Sequence, residues 1–239
     1  MILWAVAAVV AFFVKGLCGF ANTMVFTSIL SFSSDNIDIS PIDLMLSYFT
    51  NTTIVLRERR RIQWNVVLPL AALMFLGSLP GLFFLKNTDA KIVKIGFGAV
   101  IIFLGLKMLI KEIHPGVPRP DSKLGILLIG ITSGVLCGMY GIGALASAYL
   151  TRVSRDTRSF KANICTCFLI EDTFRVIMYA VTGIITLAAI KRTLFLVPFM
   201  ALGLFLGLKS ASVLNDKTAK KIVIVMLIIS GAVLILTNI

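Results

Sequence analysis

Lys15-Gly-Leu-Cys-Gly-Phe-Ala-Asn22 and Ser133-Gly-Val-Leu-Cys-Gly-Met-Tyr-Gly-Ile-Gly143 decide how this 239-residue chain folds. Each is a polar or glycine-rich break in the middle of a long apolar run. Leu17-Cys18-Gly19 returns as Leu136-Cys137-Gly138, 119 residues later. The first run extends from Ile2 to Phe32. As one straight helix it would be on the order of 45 Å long, against a hydrocarbon core of about 30 Å. The second run, Leu124 to Leu150, has the same design. Each fits either one long tilted helix or two half-helices joined at the break. In the second case the breaks become the tips of hairpins deep in a membrane.

The composition around the breaks fixes the solvent. Hydrophobic residues make up 58% of the chain and the mean hydropathy is +0.99. A soluble domain carries about 45–50% apolar residues. Several runs reach the roughly 20 apolar residues that a membrane crossing needs. They are continuous rather than alternating, which excludes a membrane β-barrel. The expectation is an all-α, multi-pass protein of the cytoplasmic membrane, with the lipid bilayer as a partner. The formal charge of +12 does not call for nucleic acid. In a membrane protein Lys and Arg collect in cytoplasmic loops. The four cysteines lack the close Cys/His spacings of a zinc site, and no metal or cofactor is expected. No basic residue precedes the apolar stretch 2–14, so a cleaved signal is not expected there.

Six further spans are expected at 41–56, 65–85, 92–110, 162–185, 193–208 and 219–236. Pro41 suits a first helical turn, where its missing N–H costs nothing. Residues 114–123 read as a cytoplasmic connector between a first repeat, 1–113 (hairpin 2–32), and a second, 124–239 (hairpin 124–150). Gly77, Gly81, Lys91, Lys94 and Gly105 recur as Gly203, Gly207, Lys217, Lys220 and Gly231, all 126 residues later. Charge placement then selects the topology. If the broken runs are re-entrant hairpins, each half has three crossings and the second half is inverted. One side receives 16 Lys and Arg, Lys161 among them, and the other 5. If the broken runs cross fully, the division is 10 against 11, without the bias that cytoplasmic loops show. The hairpin arrangement places both termini outside. Its fold class is two inverted repeats, each a broken-helix hairpin plus three transmembrane helices.

A half-helix starting at mid-membrane directs its free N–H groups and positive dipole end inward, which suits an anion. Asn22 and Thr23 are placed to cap the returning half of the first hairpin. Gly16, Gly19, Gly138 and Gly141 permit close approach of backbone to a ligand, or of one helix to another. Lys15 lies within the first run, where a lysine costs at least about 2.5 kcal/mol and so has a partner or a task. It could neutralise a bound anion or form an ion pair with Glu171 or Asp172. Cys18 and Cys137 occupy equivalent positions at the tips, where each is either a ligand contact or a small packing residue. Tyr140 lies beside Cys137 at the second tip. Glu171, Asp172 and Arg175 share one span, with Glu171 and Arg175 at the spacing of a helical ion pair and Asp172 one turn from Arg175 too. They suggest ion coupling or gating, or a self-neutralised structural cluster. Asn51, in the polar run Tyr48 to Thr53, lies at a similar place in the first half. His114 is expected to be solvated. The chain holds no nucleotide P-loop, no HExxH and no serine nucleophile elbow.

These features resemble the TauE/SafE sulfite exporter family over nearly the whole chain. The resemblance rests on the duplicated broken segment and on Pro69, Gly77 and Gly81 matched by Pro198, Gly203 and Gly207. The first tip departs from the glycine-rich pattern at Cys18, Ala21 and Asn22. The resemblance implies a carrier for sulfite, sulfonates or thiosulfate, with the tips as the substrate region. Together these readings give a secondary transporter rather than an enzyme, working by alternating access at mid-membrane. The expected partners are a small sulfur-containing anion, a coupling ion (proton or sodium) and a second copy in a homodimer. Two rival readings stay open: an anion channel, and a membrane enzyme acting on a sulfur compound through Cys18 or Cys137.

Overall fold

The computed structural model describes residues 1–30, 36–87, 99, 102–103, 105–106, 109–110, 123–140, 143–213 and 216–236. Every regular element among them is helical: α1 (Ile2–Cys18), α2 (Asn22–Leu30), α3 (Asn36–Glu58), α4 (Trp64–Asn87), α5 (Lys123–Tyr140), α6 (Ala144–Val153), α7 (Thr157–Val181), α8 (Leu187–Val213) and α9 (Asp216–Leu236). A 3-10 turn, Arg59–Arg61, leads out of α3. Most of the expected span 92–110, and with it Lys91 and Lys94, falls outside the described residues, as do Gly141, His114 and the connector 114–122.

The first broken run is two helices. Gly19 ends α1 in a left-handed conformation at φ 88°, and Ala21 repeats it at φ 71°. The chain thereby reverses, and α2 packs back along α1. Phe26 of α2 sets its ring edge-on to Trp4 at 5.9 Å and tilted against Phe12 at 6.4 Å. In the second run α5 and α6 are likewise separate helices in contact.

Glycines set which helices touch. A Cβ on Gly16 of α1 would stand 2.7 Å from Leu204 O and 2.8 Å from Leu208 N of α8. On Gly207 and Gly203 it would overlap the Phe13 and Val9 carbonyls of α1. In the same way Gly77 of α4 faces the Ile131 carbonyl of α5, and Gly134 of α5 faces Met74 O of α4. Backbone approach this close needs residues without side chains and is usual between helices in lipid. Each broken run therefore packs against the glycine-bearing helix of the other half of the chain.

Four helices, α3, α7, α8 and α9, start three or more residues earlier than hydropathy suggests. α3 begins at Asn36, so Pro41 sits inside it rather than in its first turn. That stretch is held against α7 by the Ser40 and Tyr179 hydroxyls, 3.1 Å apart. α7 begins at Thr157, where the Asp156 side chain accepts from Ser159 N–H at 2.6 Å. This corrects the place of Lys161. It is no loop residue but lies inside α7, only 6% exposed. Its Nζ donates to Gly16 O at 2.7 Å, one of the carbonyls that the end of α1 leaves unpaired. Apolar windows close at the first charge, whereas the helix continues until a cap stops it.

The exterior is apolar. Among the described residues α8 alone is long and apolar enough by itself to cross a membrane, and Ile2–Cys18, Trp64–Pro80 and Ile126–Val135 are shorter apolar helices. α8 exposes Leu194, Leu202, Phe205 and Leu206. Polar side chains are buried inside instead, between α1, α3 and α7. That distribution fits a lipid surround and would be costly in water.

Candidate functional site

The polar interior is centred on α3 and α7. Asn51 Nδ2 donates to Asp172 Oδ2 at 2.8 Å, bridging the two helices. On α7, Arg175 Nη1 lies 3.9 Å from Asp172 Oδ1, and Nη2 donates to the Tyr179 hydroxyl at 3.3 Å. Of the two carboxylates spaced to meet Arg175, the nearer is therefore Asp172, not Glu171. Residues 171 and 172 differ by about 100° around the helix axis. The 172 side chain reaches the interior with Arg175. That of Glu171 lies toward Ser78 of α4, whose hydroxyl is given to Phe75 O. Both Glu171 carboxyl oxygens are buried without a hydrogen-bond partner.

The first break supplies the opposite wall. Asn22 and Thr23 are the first residues of α2, but their side chains do not cap it. Asn22 Nδ2 donates to Asp43 Oδ1 at 3.1 Å and to Ser47 Oγ at 2.6 Å. Thr23 Oγ1 donates to Asp43 Oδ2 at 2.6 Å. Asp43, 4% exposed, is the centre of this network. Sequence reasoning passed it over because Pro41-Ile-Asp43 reads as the rim of an apolar span. The start of α3 at Asn36 moves it a turn and a half inward.

α7 fixes the break from outside. Besides the Lys161 bond to Gly16, Cys165 Sγ lies 3.4 Å from Gly19 O, and Phe160 stacks edge-on to Phe20 at 6.2 Å.

These elements surround a small, partly open cavity. Lys15, Asn22, Thr23, Asp43, Ser47 and Asn51 line it from the first half of the chain; Cys137, Gly143, Phe168, Asp172 and Arg175 line it from the second. Of the residues singled out in the sequence, Lys15, Asn22, Thr23, Asn51, Cys137, Asp172 and Arg175 thus meet in one place. Gly16, Cys18, Gly19, Gly138 and Glu171 are not among its described lining. Gly16 and Gly138 are occupied by helix contacts, Gly138 against Ser78. The Tyr140 side chain falls outside what the structure describes.

Lys15 is the unusual member. It is 1% exposed and makes no ion pair within 4 Å among the described residues, neither with Glu171 nor with Asp172. Its ammonium stands 5.9 Å from the Phe12 ring centroid. Asp43 and Asp172 contribute negative potential from farther away. At the second break the N-terminus of α6 is also open: Gly143 precedes it without a side-chain cap. A Cβ on Gly143 would overlap the Phe168 ring. All four cysteines are free and buried.

The family model for the sulfite exporter TauE/SafE matches residues 4–234. The chain belongs to the TauE/SafE family. No curated protein and no solved structure matches it. TauE/SafE membership implies a membrane transporter of sulfur anions. It agrees with the apolar exterior and gives the polar cavity a class of ligand.

Proposed function

We propose that the chain is a secondary transporter that binds a small sulfur-containing anion in the cavity between Lys15 and Arg175. The observation that carries this reading is the buried Lys15 side chain, with no ion pair among the described residues, in a polar cavity of a TauE/SafE protein. Asp43 and Asp172 balance the charge of Lys15 only from beyond ion-pair distance, and a bound anion supplies a direct contact for the ammonium. Arg175 adds a planar donor set whose buried Nε has no acceptor. The uncapped start of α6 adds free N–H groups.

In this reading the broken runs are re-entrant hairpins of two inverted repeats, and access alternates as the halves move against one another. The reciprocal packing of α1 on α8 and of α5 on α4 supports that arrangement. Glu171, Asp172 and Arg175 are the coupling or gating group, and a gradient supplies the free energy.

Uptake into proteoliposomes tests it. Labelled sulfite, thiosulfate and a small sulfonate are compared with chloride and phosphate, for wild type and Lys15→Ala. Saturable flux of a sulfur anion, lost in the variant, is expected. Conductance without saturation would make it a channel, and a chemically altered product would make it an enzyme. Undiminished flux in Lys15→Ala would remove Lys15 from the site.

A further inference from the structure

The cavity holds two cations, Lys15 and Arg175, and two carboxylates, Asp43 and Asp172. With all four ionised it is formally neutral while empty. A bound anion then leaves an uncompensated negative charge away from water, which is costly. One arriving proton per negative charge removes that cost, so the carboxylate able to take it has to be found.

Asp43 is poorly suited. Both its oxygens accept from donors, Asn22 and Thr23, which hold the ionised form. Glu171 is not among the groups lining the cavity. Asp172 differs from both. Its Oδ1 faces Arg175 at 3.9 Å, beyond hydrogen-bond length, and its Oδ2 accepts from Asn51 Nδ2. The other end of the Asn51 amide, Oδ1, is buried with no donor. A half-turn of that amide brings the carbonyl where the NH₂ now stands, ready to accept from a protonated carboxyl. Asp172 therefore has a hydrogen-bonding partner in either protonation state. Its charged and titratable surroundings are Lys15 from α1, Asp43 from α3, Cys137 from α5, and Glu171, Cys165 and Arg175 from α7.

We propose that Asp172 takes up a proton when the anion binds, releasing Arg175 to the anion, with Asn51 as the amide that follows the proton. Proton and anion then cross together in the same direction. The inference rests on the transport reading above and names its coupling ion. No bond is made or broken apart from the transfer of one proton from water to the Asp172 carboxylate.

Titration calorimetry on the purified full chain tests it, with sulfite, thiosulfate and methanesulfonate as probes. Each titration is run in two buffers of different ionisation enthalpy, and sulfite's own protonation is subtracted. Wild type should take up about one proton per methanesulfonate, and its Kd should fall about tenfold per unit drop in pH above the titration of Asp172. Asp172→Asn should bind with no proton uptake and a flat pH profile. Asp172→Glu, which keeps a carboxyl, should retain the uptake. Binding by wild type without proton uptake overturns the proposal and leaves the transport reading standing. Equal uptake by Asp172→Asn also overturns it. Should that variant fail to fold, the wild-type proton count and pH slope decide. Absence of binding by all three probes overturns both readings.

Discussion

Ala21 is the one described non-glycine residue with a positive φ. The left-handed conformation costs an L-residue roughly 1–2 kcal/mol. Ala21 accepts that cost at the turn that separates α1 from α2 and lines the cavity. Glycine relieves the strain but is freer in the unfolded chain. Ala21→Gly is therefore expected to raise stability in detergent by up to about 1 kcal/mol, read from denaturant unfolding. A loss of stability would mean that the methyl packs there and that the strain is offset locally. Lys15 shows what a residue's depth in an apolar run can reveal: a charge in need of a partner or a task was legible in the sequence, but which of the two was not. Asp43 and Lys161 were not legible. Each sits near a span's apparent edge, and its burial depends on where a helix begins. A capping bond at Asp156 marks the start of α7, and a hydroxyl contact at Ser40 holds the first turns of α3 against α7; hydropathy registers neither.

At the level of elements, two kinds of device hold the helices. The first is capping. Asp156 receives Ser159 N–H and pairs with Arg61 Nη1 at 2.8 Å, which joins the start of α7 to the turn after α3. Partial burial pushes its carboxyl up, but the Ser159 bonds and the Arg61 charge outweigh it and hold the group below its ordinary value. The stabilisation is then present above the ordinary carboxylate range and is lost as pH falls through the folded value. Asp156→Ala should cost about 1 kcal/mol at neutral pH, and its gap from wild type should close below about pH 4. Thermal melts at several pH values measure this, and a gap that persists in acid would assign the effect to packing.

The second device is the glycine contact. The Gly134 Cβ position is already filled by Met74 O, so Gly134→Leu must drive α4 and α5 apart. Overpacking of this kind costs about 1–3 kcal/mol and sometimes more. The expected outcome is loss of monodisperse protein on size exclusion, while Gly183→Ala, with open space around its Cβ position, costs only the strain of its positive φ. The sequence marked these glycines by their spacing. It left open whether they served a ligand or a neighbouring helix, because both uses ask for the same missing side chain. Gly16 and Gly138 resolve toward the helix, and Gly143 borders the cavity.

For the whole molecule the open matter is direction in the membrane, and the argument comes from charge. An all-helical chain with an apolar exterior was readable from composition alone, and the family from the broken runs. Inversion of the halves is a further step. With hairpins, 16 of the 23 basic residues fall on one side. Moving Lys161 into the interior takes one from that side and leaves 15 against 5, so the bias survives the correction. Arg57 in the last turn of α3 and Arg59, Arg60 and Arg61 in the turn after it remain together, all of them exposed. On the hairpin topology proposed above, the positive-inside rule is expected to put that turn in the cytoplasm and both termini outside. The buried state of all four native cysteines makes this directly measurable, because background labelling should be low. A single cysteine added at either terminus should react in intact cells with a membrane-impermeant maleimide. One substituted for Arg60 should react only after the membrane is opened. The reverse pattern would turn the molecule over and leave the cavity intact. Termini on opposite sides would mean that one broken run crosses fully, which would remove the symmetric meeting of two tips on which alternating access is argued.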